Sequence, residues 1–267
     1  MIRMPRQPTP TPALPADVRA MNATAMLLAL VAVAALLAAA LVWAMRQPVF
    51  SIRTVAIDGD VTRNSAATLR ANTRSSLTGN FFTLDLGAAR RAFEDVPWVR
   101  KALINRLWPN RVLVRLEEHR AAALWAGDAD SLVNNHGEVF AANLGDVEDQ
   151  DLPTLDGPDG SAPAMLALLR RLEPVLAPLE MHIATLTLSG RGSWAMRLER
   201  GATVELGRGG EAELVQRTEQ FAKTVGGVIA RYDRPLLYAD LRHHQGYAVR
   251  LKGISTVNDA APAGARN

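Results

Sequence analysis

The sequence predicts an α+β protein in three parts: a transmembrane helix, a small β-α-α-β-β domain, and a second domain with a mostly antiparallel sheet and two helices. Three observations predict it. Residues 20–45 carry no charge and stand between Arg19 and Arg46. Residues 111–118 alternate with period two, Val112, Val114 and Leu116 against Leu113, Arg115 and Glu117. Met165, Leu168, Leu169, Leu172, Val175, Leu176 and Leu179 recur at helical spacing.

Residues 1–19 hold prolines at 5, 8, 10, 12 and 15 and too little apolar mass for a core, so they read as a disordered cytoplasmic tail. Residues 20–45 exceed the roughly 20 apolar residues that cross a hydrocarbon core of about 30 Å. Lipid offers the backbone no hydrogen bonds, so the span is a helix. A cleaved signal peptide has an apolar run of only about 7–15 residues, so the helix reads as a retained anchor. Arg3, Arg6 and Arg19 against Asp17 favour an N-terminus in the cytoplasm and the rest outside it, with Trp43 at the interface.

Residues 46–119 form the first folded domain. A strand at 50–57 follows from β-branched content, and Asp58-Gly59-Asp60 turns the chain. A helix opens at Asn64 or Ser65 and closes at Thr78-Gly79-Asn80. Asp85 caps a second helix, 86–95, with Leu86, Ala89 and Phe93 on one face, and Pro97 ends it. Strands 99–107 and 111–118 are joined by Trp108-Pro109-Asn110.

Residues 120–253 form the second domain. Strands are expected at 121–125, 131–133 and 138–141, with Asn134-Asn135-His136-Gly137 as a hairpin turn. Residues 145–160, rich in Asp, Gly and Pro, read as a loop. A helix at 164–179, kinked at Pro174, precedes strands 183–189, 194–199 and 203–206. A helix at 211–231 turns Leu214, Phe221, Val225 and Val228 inward, and strands 235–241 and 246–252 end the domain. Residues 254–267 are expected to be a disordered tail.

Composition narrows the chemistry. There is no cysteine, so no disulfide, thiolate metal site or cysteine nucleophile. The pI is about 9.7, yet the net charge is only +3 and the arginines are scattered among acids; a nucleic-acid face needs clustered cations. Gly207-Arg208-Gly209-Gly210 lacks the lysine, hydroxyl and spacing of a phosphate loop and reads as a strand-to-helix turn. Asp146, Glu148, Asp149 and Asp151 lack calcium-loop spacing and read as solvated. His243 and His244, adjacent on an extended chain, point to opposite faces. No G-x-S-x-G is present. The expectation is no enzyme, no cofactor, no metal and no small-molecule substrate. What remains is docking: the last strand, 246–252, is expected at a sheet edge that a partner can extend.

The residues also resemble a family. Gly79-Asn80-Phe81-Phe82, Pro97-Trp98-Val99, Arg106-Leu107-Trp108-Pro109 and Leu116-Glu117-Glu118-His119-Arg120 resemble, in order and spacing, the POTRA domain of the FtsQ/DivIB cell-division proteins. Leu124-Trp125, Leu132-Val133-Asn134, His136-Gly137-Glu138-Val139-Phe140, Leu152-Pro153 and Asp240-Leu241-Arg242 resemble that family's β domain. The resemblance implies a non-enzymatic, single-pass protein of the division septum that binds FtsB and FtsL and restrains septal peptidoglycan synthesis through them. It implies an FtsB-type contact set at Arg242, His243, Gln245, Gly246 and Leu251, with Arg191 as a further arginine. His243 stands where Tyr is common and Leu251 where Trp is found. It also implies a recruitment face for an FtsK-type upstream protein at Lys101, Ile104 and Arg106. The alternatives are a POTRA-bearing envelope assembly or transport factor, which would carry a β-barrel, and a periplasmic cell-wall hydrolase.

Overall fold

The computed structural model describes residues 16–59, 61–64, 66–73, 77, 79–243 and 246–254. Its first element is α1 (Ala16–Met45), whose apolar side chains are exposed along its length. The stretch Asp17–Met45 holds an 18-residue window of mean hydropathy 2.9 and is long and apolar enough to cross a membrane. After it come a single 3-10 turn (Pro48–Phe50), β1 (Thr54–Gly59), α2 (Ala66–Thr73), α3 (Leu86–Glu94), β2 (Val99–Leu107) and β3 (Arg111–Glu118). The expected strand at 50–57 thus starts four residues later, because Pro48 opens a helical turn that its own fixed φ favours.

These strands form a three-stranded sheet in the order β1-β3-β2. The period-two pattern of β3 is met: Val112, Val114 and Leu116 are buried. Asp85 caps α3 as expected, its Oδ1 accepting from the N–H of Gly87 at 2.8 Å and of Ala88 at 3.0 Å. Those two backbone donors hold its carboxyl below the ordinary carboxylate range.

The remaining strands form one nine-stranded sheet in the order β12-β11-β10-β9-β8-β7-β4-β5-β6. They are β4 (Ala121–Trp125), β5 (Ser131–Asn134), β6 (Val139–Ala141), β7 (Thr154–Asp156), β8 (Ile183–Leu188), β9 (Trp194–Leu198), β10 (Thr203–Gly207), β11 (Leu236–Asp240) and β12 (Ala248–Leu251). Most pairs are antiparallel, but β7 runs parallel to both β4 and β8, and β10 parallel to β11. Strand β7 corrects the loop expected over 145–160. Its three residues are too few to show a period, and what makes them a strand is two flanking partners, with Leu155 fully buried between them.

Helices α4 (Ala162–Leu176) and α5 (Glu211–Tyr232) supply Met165, Leu168, Leu169, Leu172, Phe221 and Val225 to the core of this sheet. The helical spacing had placed each of them inward. Helix α4 runs through Pro174 and then tightens into a 3-10 turn at Ala177–Leu179.

By contacts the chain divides into two units: residues up to 58 with 70–92 and 103–115, and residues 59–69 and 93–102 with everything from 116 onward. Inside the second unit lies a polar cluster that no sequence pattern announced. Glu118, 6% exposed, accepts from the N–H groups of Thr62, Arg63 and Asn64. Arg63 lies 4.2 Å over the Trp98 ring, and Trp98 Nε1 donates to Asp146 Oδ2 at 2.8 Å. Asp146 is therefore a hydrogen-bond acceptor for a buried indole, where the sequence suggested a merely solvated acid. Arg100 bridges Glu138 and Glu117, both at 2.7 Å. Asn134 links Glu138 to Nδ1 of His119, whose ring stacks on Phe140.

Candidate functional site

The last two strands build the candidate site. Burial alternates along the chain here: Tyr247 and Val249 pack on the core and Leu251 is 6% exposed, while Ala248, Arg250 and Lys252 face solvent. Strand β12 pairs antiparallel with β11 alone, Tyr238 opposite Arg250 and Asp240 opposite Ala248, and it ends the sheet. The N–H of Lys252 points inward, bonding the carbonyl of Pro235 at 3.0 Å. Strand alternation then directs the N–H and C=O of Val249 and the N–H of Leu251 away from β11, while the Leu251 carbonyl accepts from the N–H of Ile254 at 3.4 Å. Among the described residues this is a sheet edge with outward backbone groups at Val249 and Leu251, bearing cations on the solvent side.

Arg242 follows β11 and is clamped. Its Nε donates to Asp240 Oδ1 at 2.8 Å, its Nη2 to Oδ2 at 2.6 Å, and its backbone N–H to Oδ1 at 3.0 Å. The pair is asymmetric: the Asp240 side chain is 12% exposed and that of Arg242 56%. The Arg242 bonds hold the Asp240 carboxyl down at about 2, while the carboxylate raises the guanidinium above its usual value. The stem of Arg242 lies over Gly207, where a Cβ would meet Arg242 Cγ at 2.6 Å and where φ is +81°. Gly207 is thus fixed by two requirements, a left-handed turn and a close side chain. The glycine stretch beyond it leads into α5, whose Arg217 donates to the carbonyls of Leu206 and Arg208. It is the expected strand-to-helix turn.

Gly207 stands opposite Trp194 of β9, so Arg191, in the β8–β9 turn, lies at the same end of the sheet as Arg242. Two strand spacings, about 10 Å, separate β9 from β11. Arg191 is exposed, and its turn is tied by Ser189 to Gly192 and Ser193. His243 and Gly246 are exposed and line a cleft of about 390 Å³ with Arg217, Gln220, Thr224, Leu241 and Tyr247. Gly246 precedes β12 rather than pairing within it. Gln245 lies outside the described residues. Leu251 is a core side chain opposite Leu236, so what it offers a partner is backbone.

The second set of residues, on β2, is divided by the strand's alternation. Lys101 is exposed, as are Leu103, Asn105, Arg106 and Leu107. Ile104 is 8% exposed and belongs to the core, which corrects its place in an exposed strip. Arg106 donates from Nη2 to the carbonyl of Leu84 at 2.7 Å.

Comparisons with known proteins match two successive stretches of the chain. Residues 50–119 match the POTRA domain, FtsQ-type, and residues 123–242 match the cell division protein FtsQ/DivIB C-terminal family. The chain is similar to the cell division protein FtsQ of Burkholderia pseudomallei, 39% identical over 91% of this chain and 96% of that protein. It is similar to its counterpart in Thiomonas arsenitoxydans, 36% identical over 90% of both chains. The Bordetella pertussis protein of the same name is 36% identical over 88% of this chain and 92% of its own.

Proposed function

The chain belongs to the FtsQ/DivIB family of cell-division proteins, and from that premise we propose that its β12 edge docks a membrane-anchored partner of the FtsB type. The partner adds a strand to β12, and FtsL arrives with it. The protein is then a non-enzymatic scaffold of the division septum, tethered by α1 with its N-terminus in the cytoplasm and its folded parts in the periplasm. It joins an early, FtsK-type recruiter to the late proteins and regulates septal peptidoglycan synthesis through its partners.

The observation that carries this reading is the edge itself. Strand β12 ends the sheet, the N–H and C=O of Val249 and the N–H of Leu251 face away from β11, Arg250 and Lys252 stand on the solvent side, and Arg242 and Arg191 lie at one end of the sheet. Main-chain pairing supplies affinity in such complexes, and cations select an acidic segment and speed its arrival. Arg242 spends two donors on Asp240, which fixes its guanidinium and leaves Nη1 to an incoming carboxylate.

Calorimetry of the full chain in detergent with an FtsB-type acidic periplasmic segment tests the reading. Gly246 lies outside the ladder, so proline belongs at Val249, where it removes an outward N–H and keeps the inward pairing. Val249→Pro should lose most of the affinity, and Arg242→Ala should weaken it measurably by removing a cation from the acidic segment's path. Unchanged affinity in both variants, with circular dichroism unaltered, sinks the proposal. On β2, Lys101 and Arg106 remain the side chains with which the recruiter would make contact.

A further inference from the structure

The end of α1 is not joined to the first unit by a free linker. Asn80 Nδ2 donates to the carbonyl of Met45, the last residue of the helix, at 2.9 Å. The same side chain builds its own turn: Oδ1 accepts from the N–H of Phe82 and of Thr83, both at 2.9 Å. Phe81 N–H donates to the carbonyl of Phe50 at 2.8 Å, and Ser51 bridges Asn80. Two residues on, Arg53 N–H donates to the carbonyl of Asn110 in the β2–β3 turn at 3.0 Å. Two segments distant in sequence, 79–83 and 108–110, are thereby held within a few residues of the helix exit.

Both segments expose large apolar groups. Phe82 is 40% exposed, its ring edge-on to Phe50 and Phe81. Trp108 is 74% exposed and Leu107 43%. Val49, in the turn after the helix, is 51% exposed, and Trp43 precedes it on the helix. Arg46 and Arg53, after the helix, and Arg111, next to the Trp108 turn, are exposed as well. Exposed Trp and Phe beside arginines, at the depth where an apolar span ends, is the chemistry of the bilayer interface, where amphipathic rings sit among headgroups and cations meet phosphates.

We propose that the Gly79–Thr83 loop and the Trp108 turn are membrane feet: Phe82, Val49 and Trp108 enter the headgroup layer of the outer leaflet around the exit of α1. Asn80 is the positioning residue that ties the first foot to the end of the span. The first unit then rests on the membrane at a fixed tilt, held by three points instead of one. The inference relies on α1 spanning the bilayer and is independent of any partner at β12.

The chain has no cysteine, so a nitroxide can be placed at one site without other changes. Full-length Leu30→Cys, Val49→Cys, Phe82→Cys and Trp108→Cys are each labelled and reconstituted into phosphatidylethanolamine–phosphatidylglycerol vesicles. Relaxation by oxygen reports lipid, and relaxation by a nickel chelate reports water. Oxygen relaxation several-fold above nickel relaxation is expected at all four positions, with Leu30 deepest. A water-exposed label at 49, 82 or 108, with Leu30 in lipid, overturns the proposal and leaves the anchor intact. A water-exposed Leu30 label removes the anchor reading and the proposal together. Spin–spin broadening at 82 or 108 that vanishes on dilution with unlabelled chain assigns the patch to a second copy and also overturns it. In the Asn80→Ala chain, the label at 82 should move several-fold toward water while the label at 30 stays in place.

Discussion

At the scale of single residues the Asp240–Arg242 pair carries the sharpest expectation. Asp240 is held at about 2 chiefly by the Arg242 side chain, with a further bond from the Arg242 backbone. A carboxyl whose pKa is depressed on folding stabilises the folded state above its unfolded value, about 3.9, and loses that contribution as pH falls toward its folded value. In Arg242→Ala the backbone bond remains and the side-chain bonds go. The Asp240 carboxyl should rise toward its ordinary range, followed by carbon-detected NMR titration. The variant should be less stable at neutral pH by an amount that solvent screening of the half-exposed Arg242 side chain keeps small. That loss should shrink as pH falls below about 4 and vanish near 2. A loss that persists at low pH would place the role of Arg242 in packing over Gly207 instead. His119 follows the same sign: burial pushes its pKa down, so it favours the folded state while neutral and opposes it once acid forces a proton onto the ring.

At the scale of elements, β2 separates core from surface one residue at a time. Ile104 and Ala102 are buried, while Lys101, Leu103 and Asn105 between and beside them are exposed. Ile104→Ala should cost about 2–5 kcal/mol, a lost side chain plus the cavity it leaves. Lys101→Glu should change stability by less than about 0.5 kcal/mol, as exposed substitutions do. Arg106→Glu should fall between, because it removes the bond to the Leu84 carbonyl. Thermal unfolding of the full chain in detergent, followed by circular dichroism, orders the three. If recruitment to midcell fails in Lys101→Glu while its melting curve is unchanged, the exposed face of β2 is a contact surface. The helices were the most legible elements, because their faces repeat over many residues: Leu168, Leu169, Leu172 and Phe221 were placed inward by spacing alone. Strand β7 was the least legible. Only the neighbours β4 and β8 make Thr154–Asp156 a strand.

At the scale of the whole molecule, a fusion reads the topology in the membrane. A reporter active only in the periplasm, placed after Gly253, should give activity in the membrane fraction with the chain at full length. Activity in the soluble fraction, on a chain beginning near Met45, would mean that α1 is cleaved. By itself the sequence determined the apolar helix α1, the order of strands and helices apart from β7, the inward faces of α4 and α5, and the family, because each is written in local spacing or in the order of short motifs. Only the tertiary structure decided what lies beside what. It clamped Arg242 on Asp240, brought Arg191 to the same sheet end, turned Ile104 and Leu251 into core, tied Asn80 to Met45 and set Asp146 against Trp98. The reason is physical: a residue's spacing fixes which face of its own element it occupies, but its partners come from elements tens of residues away, chosen by how the whole sheet and its helices close over one core.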